Sequence, residues 1–342
     1  MQIAPTISAS GGRKPASDLP FSARLDLGAD AAGGFGAYAS FRLDTLASAA
    51  PGDSRAFRSE ALWVEELFAQ WTDGVTTLRA GRFVPNFARA WSLLPSVLNS
   101  VAPSEYQIVN QIGVQAGRIL ANGGSGLHAV TVSWTMADRT FLSQSMLTNR
   151  GQVHLSDGGP SNTDWPRSVA VACDGVRVPV AGLPVSYQAA YAYLAAGRRD
   201  TGDEHLASIG ANKRVELGGG GALKPLAELG YRWNADGRGG RNIGYATAAV
   251  ELDARPWSAA LIWSGRDERP RGGSRFTDLV LEANAQRELG GGFRAGAAYV
   301  YDRTRGGESH TFGVVLSYAL QRCDGCRTLR ARQYWTDYRH TP

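Results

Sequence analysis

From Val185 to Tyr193 the odd positions read Val185, Tyr187, Ala189, Tyr191 and Tyr193, while Ser186, Gln188, Ala190 and Ala192 fill the even ones. A period of two sends alternate side chains to opposite faces of a sheet. The same parity returns in Leu223–Trp233, where Lys224, Glu228 and Arg232 share one face and Leu229, Tyr231 and Trp233 the other. It recurs at Trp257–Arg266, Leu279–Gln286, Phe293–Asp302 and Phe312–Leu320, and near the start at Phe21–Leu27 and Phe35–Leu43. A chain written this way is all-β.

Glycine clusters punctuate the runs at 33–34, 123–124, 158–159, 218–221, 239–240, 272–273, 290–292 and 306–307, as turns between strands require. The strand candidates are 21–28, 35–44, 60–71, 75–83, 106–119, 127–137, 167–180, 184–195, 205–217, 222–234, 243–253, 256–266, 276–287, 293–303 and 309–320. In 60–71 the residues Phe57, Ala61, Val64, Phe68 and Trp71 also fit a helical face, and a strand is the expectation there. Closed bacterial barrels have an even number of antiparallel strands. These fifteen segments therefore predict an up-and-down β-barrel of 14 to 16 strands, with 16 favoured. Residues 1–19 read as a flexible leader, 20–320 as the barrel and 321–342 as a tail that could plug the lumen or add a strand at Gln333–Tyr338.

Parity alone fits a soluble sandwich as well as a membrane barrel. Two features favour the membrane. Aromatics sit near segment ends on the apolar face (Phe21, Phe35, Trp233, Trp257, Phe293, Tyr301, Phe312), where interfacial girdles form. The opposite face carries small residues, amides and both signs of charge, as a water-filled lumen needs. A mean hydropathy of -0.23 does not oppose this, because lipid-facing and water-facing residues average out. No apolar run approaches the roughly 20 residues of a membrane helix. The first residues, MQIAPTISASGGRKPASDLP, lack a basic segment followed by an apolar one, so an exported chain would take its address from elsewhere.

The run WVEELFAQW (Trp63–Trp71), the turn Thr-Asp-Gly and then LRAGRFVPNF (Leu78–Phe87) resemble a hairpin of outer-membrane porins, most closely those related to the phosphate-selective porin O and P family. The resemblance implies a Gram-negative outer-membrane channel for small hydrophilic, preferentially anionic solutes, phosphate and carboxylates among them. It also implies outer-membrane lipid and lipopolysaccharide as partners, and a homotrimer as one assembly. The chain departs from the pattern in ending its last strand at Leu320, without a terminal aromatic.

Thirty-three arginines against three lysines favour planar, bidentate recognition of anions, although a GC-rich genome enriches arginine too. Parity selects Arg24, Arg42, Arg79, Arg232 and Arg294 as inward candidates, with Arg82 and Arg89 near the Pro85 bend. Asp26, Asp44, Glu228, Glu282 and Asp302 are the acids that would oppose them across the pore. Plain solvation of a lumen wall is the competing reading for each. The loops after Phe83 and around 140–166 are long enough for one to fold inward.

Other chemistry is not expected. Gly218–Pro225 lacks the Lys-Ser/Thr of a phosphate loop, the histidines are scattered, and neither cofactor nor metal site is predicted. Cys323 and Cys326 form one CxxC, half of a zinc site, and read better as a local disulfide or idle thiols. No basic run marks a nucleic-acid partner. A barrel lipase built on Ser133 or Ser264 with His310, a plugged structural or adhesive barrel and a soluble all-β binding protein are the alternatives to a channel.

Overall fold

The computed structural model describes residues 1–10, 15–46, 50, 52–98, 102–269, 272–305 and 307–320. Sixteen wall strands follow one another around a closed antiparallel barrel. They are β1 (Gln2–Ile3 and Thr6–Ser10), β2 (Ala16–Leu19 continuing as Phe21–Asp30), β3 (Phe35–Thr45), β4 (Glu60–Thr72), β5 (Thr76–Phe83), β6 (Gln111–Gly123), β7 (Gly126–Ala137), β8 (Ser168–Val180), β9 (Leu183–Leu194), β10 (Glu204–Asn212, extended by Val215–Glu216), β11 (Ala222–Trp233), β12 (Asn242–Ala254), β13 (Trp257–Arg269), β14 (Phe276–Gly290), β15 (Phe293–Thr304) and β16 (Gly307–Tyr318).

Each of the fifteen segments expected from parity holds a strand, residues 60–71 included, although 106–119 is a strand only from Gln111 and its first five residues belong to the loop before it. The sixteenth lies where a flexible leader was expected. Gln2 pairs with Ser317 on one side and Ser22 on the other, so β1 joins β16 to β2 and closes the barrel. The correction has a physical reason: a barrel one strand short would expose two long rows of unpaired backbone groups, and β1 satisfies both edges. Residues 321–342, including Cys323, Cys326 and the extra strand considered at Gln333–Tyr338, lie outside the described residues.

The apolar parity faces outward. Leu25, Leu27, Leu78, Val114, Ile209, Leu229, Leu261, Leu281 and Leu316 are all solvent-accessible on the outer wall, a belt that only lipid accommodates. Phe35, Trp257 and Phe293 stand at its short-turn end and Trp233 at its long-loop end. Short turns such as 124–125, 181–182 and 291–292 gather at one rim, and the long connections 46–59, 84–110, 138–167 and 195–203 at the other. By the usual asymmetry of such barrels the long-loop rim is extracellular.

One strand is cut short, and this positions everything inside. β5 has eight residues, pairs with Leu67–Thr72 of β4, and leaves the wall after Phe83. The upper part of β4 would then lack a neighbour on that side, and Met146–Leu147 of the long loop 138–167 pair with Leu62–Ala61 instead. Gly81 sits at the departure with φ +132, and a Cβ there would meet the Leu67 carbonyl oxygen at 2.4 Å. Gly81→Ala is therefore expected to lower the yield of folded barrel, read as less of the compact, heat-modifiable band on a gel.

Candidate functional site

After Phe83 the chain runs inside the barrel. Asn86 donates to Asp174 on β8 at 2.7 Å and accepts from Gln188 on β9 at 2.9 Å. The backbone N–H groups of Arg89 and Ala90 donate to Glu228 on β11 at 2.7 and 3.0 Å, opening the one-turn helix α1 (Ala90–Leu93). Further along, Ser96 and the Val97 N–H donate to Glu282 on β14 at 2.6 and 2.7 Å. Gln2 on β1 reaches the Val97 carbonyl at 3.0 Å. The returning limb brings the Tyr106 hydroxyl to Glu228 at 2.6 Å, and burial together with that carboxylate pushes the phenol up. Glu105 binds Arg266 on β13 at 2.9 Å. Residues 84–98 and 102–110 thus line the wall from β7 round to β1.

Apolar contact adds to these bonds. Phe87, Tyr106 and Ile108 pack on Ala170, Ala172, Ala190, Ala192 and Ile243, while Ala90 and Leu94 meet Ala249 and Ile262. Fully burying a side chain such as Phe87 contributes about 1.5–3 kcal/mol. Ala170, Ala172, Ala190 and Ala192 on the inner face of β8 and β9 leave the space that the loop occupies.

The residues expected to line the pore divide into two groups. Arg24 and Arg42 are cross-strand partners on β2 and β3, and both remain open to the lumen with 38% and 39% of their side chains accessible. Both engage Glu65 at 3.2 Å, Arg24 also binds Asp26 at 2.9 Å, and Arg42 binds Asp44 at 2.8 Å. Glu66 lies 3.6 Å from Arg24, and the Tyr38 hydroxyl donates to Asp26. Glu65 and Glu66 both reach Arg24 because a register shift after Ser40 places an extra residue in β4. Arg294 is open as well, paired with Glu288 at 3.0 Å near the short-turn rim.

The other candidates are not free lumen residues. Arg79 is buried between Gln70 and Gln115 and stacks over Phe68 at 5.1 Å. Arg82 is fully buried, bonded to Asp138, to Asn110 at 2.6 Å and to the Glu65 carbonyl. Arg89 is buried against Asp174. Glu228 and Glu282 lie beneath the inward loop, which explains why parity placed them inward yet no solute path reaches them. Arg232 is mostly covered and tied to Glu204, Asp236 and the Glu105 carbonyl. Asp302 is half-buried beside Asp278, without an ion pair among the described residues.

Sequence reasoning missed Tyr38 and Asp174 as members of this interior. The lipase constellation does not form. Ser133 and Ser264 are buried and bonded to Gln115 and Thr247, while His310 lies on the outer wall against Tyr299.

A closed sixteen-stranded barrel with an apolar belt and a long loop folded inside is the architecture of outer-membrane porins. Solved structures agree in fold. OmpF of Salmonella typhi, in complex with daunomycin, superposes with a TM-score of 0.62 at 10% identity over 92% of this chain and 95% of that one. The outer-membrane channel DcaP of Acinetobacter baumannii gives 0.59 at 12% identity over 93% and 95%. An anion-selective porin from Comamonas acidovorans gives 0.55 at 10% over 93% and 98%. No protein-family model matches the chain, and no curated protein does. The narrower likeness to phosphate-selective porins rests on the Trp63–Phe87 hairpin residues alone.

Proposed function

We propose that this protein is an outer-membrane porin, a passive water-filled path for small hydrophilic solutes and not an enzyme. The supporting observation is the contrast inside the barrel. Residues 84–98 and 102–110 cover the wall from β7 to β1, whereas the charged ladder Arg24, Arg42, Asp26 and Asp44, with Glu65 beneath it, on β2 to β4 stays partly open to water. Solutes pass between the two. The ladder holds two arginines against four carboxylates, Glu66 included, so it is no source of anion preference by itself.

The preference for anions belongs to the extracellular mouth. Among described residues of the long connections 46–59, 138–167, 195–203, 234–241, 272–275 and 305, eleven arginines face seven aspartates. A mouth with that excess concentrates anions at the entrance. Arg150 contributes directly, its guanidinium 5.3 Å from the Trp63 ring that Arg42 also approaches at 5.9 Å.

Planar-bilayer recordings in a potassium chloride gradient test both parts. Wild-type protein should conduct with a mild anion preference. Arg24→Ala combined with Arg42→Ala leaves four carboxylates unbalanced and should move the reversal potential clearly toward cations. Absence of any conductance would favour the plugged barrel, and an unshifted reversal potential would remove the ladder from the solute path. Assembly as a homotrimer belongs to the same proposal, and its check is the mass of the detergent-extracted complex.

A further inference from the structure

Where β5 has left the wall, Met146–Leu147 pair with Leu62–Ala61 of β4, and the Thr148 N–H donates to the Glu60 carbonyl at 3.1 Å. The chain then turns at Arg150, whose N–H donates to Ser145 Oγ at 2.7 Å. This turn lays the Arg150 guanidinium over the Trp63 ring at 5.3 Å. Trp63 is the cross-strand partner of Arg42, so its ring shares the lumen face, and Arg42 approaches the same ring at 5.9 Å. The two arginines differ in what else they hold. Arg42 is engaged by Asp44 and Glu65, whereas Arg150 has no carboxylate partner among the described residues and stays accessible from the mouth.

Partial desolvation, and then the charge of Arg82, hold the Arg150 guanidinium below the ordinary arginine range, the mark of a cation short of a counterion. A solute anion would supply that counterion. The inner wall has a second ring with two guanidiniums over it, Phe276 with Arg266 at 5.5 Å and Arg305 at 5.3 Å, but there Arg266 carries Glu105, Glu268 and Asp278. Asp278 also accepts from the Arg305 N–H at 3.1 Å, so an anion would meet carboxylates. The surroundings of Arg150 also say what the anion carries. Trp63 offers ring surface beside the charge, and segment 84–98 adds none to the lumen: Arg89, its one charged residue, is buried on Asp174, and the partly accessible side chains of Trp91, Leu93 and Pro95 are apolar. Such surfaces favour a carboxylate with an apolar body over an inorganic anion.

We propose that Arg150, held in place by Trp63, is a saturable site at the extracellular entrance for monocarboxylates with an aromatic or aliphatic body. The inference names a substrate class for the channel and so rests on the porin reading above, but binding is measured without conduction. Folded barrel in detergent is titrated with benzoate and followed by saturation-transfer NMR of the ligand, with acetate and inorganic phosphate as competitors. Wild type should bind benzoate saturably, and acetate, which lacks the apolar body, should compete about tenfold less well. Arg150→Ala should weaken benzoate about tenfold, as the loss of one charge-assisted hydrogen bond does, and Arg150→Lys should recover part. Trp63→Leu should bring benzoate down to the level of acetate. Arg287, which lies over Trp257 at 5.4 Å on the outer wall, is the control, and Arg287→Ala should bind as wild type does. Gel migration of the unheated samples shows that every variant is folded. Undiminished binding by Arg150→Ala, an equal loss in Arg287→Ala, or stronger competition by phosphate than by acetate overturns the proposal. Arg150-dependent binding in a barrel that conducts nothing in bilayers would uphold the site and remove the channel reading.

Discussion

Asp138→Ala is expected to destabilise the folded barrel by about 3–5 kcal/mol, the range for breaking a buried ion pair from one side. Arg82 and Asp138 are both wholly shielded from solvent, and Arg82 spends its remaining donors on Asn110 and the Glu65 carbonyl. Removing the carboxylate leaves a buried guanidinium whose charge nothing offsets. The position aggravates the loss, because this cluster seals the wall where β5 turns inward and Asp138 also accepts from the Thr140 N–H at 2.8 Å, fixing the start of loop 138–167. The measurement is the urea midpoint of the heat-modifiable band. A double replacement, Arg82→Met with Asp138→Leu, should recover much of the loss, since apolar side chains of similar volume leave no buried charge. If Asp138→Ala unfolds at the wild-type midpoint, the cluster is not a structural seal.

That cluster also marks where parity stopped being informative. In β2 and β3 the side chains of Arg24, Arg42, Asp26 and Asp44 stay partly open to water, and they lie where the sequence pattern puts them. In β8 and β9 both parities are apolar or small over Val169–Ala172 and Ala189–Ala192, and a strand with two apolar faces needs a cover on the lumen side. That signal could have singled out the loop after Phe83, one of the two whose length allowed them to fold inward, and with it the burial of Glu228 and Glu282. No periodicity could have assigned Arg82, because its environment is made by Asn110 and Asp138, which are distant in sequence and arrive through loops. β1 escaped notice because Gln2–Ser10 carries Pro5 and small polar residues instead of an alternating pattern. Its place follows from closing the barrel, a demand of the whole sheet.

The second large effect concerns the loop that narrows the pore. Glu228 accepts from the Arg89 and Ala90 N–H groups and from Tyr106, and Glu282 accepts from Ser96, the Val97 N–H and Asn284 at 2.9 Å. Hydrogen bonds to charged groups contribute about 1.5–3 kcal/mol each. The two carboxylates therefore anchor segment 84–98 to β11 and β14, while Asp174 and Gln188 hold its first part through Asn86 and Arg89. Glu228→Ala with Glu282→Ala should free that segment from β11 and β14 while the wall, whose ladders neither side chain supports, stays closed. In bilayers the expected record is a larger and noisier single-channel current than wild type, with an undiminished heat-modifiable band. Glu228→Gln with Glu282→Gln keeps an acceptor oxygen at each site and should fall between the two. A current equal in size and noise to wild type in the alanine pair would mean that the apolar contacts of Phe87, Leu94 and Ile108, with the bonds of Asn86 and Arg89 to Asp174, suffice to hold the loop.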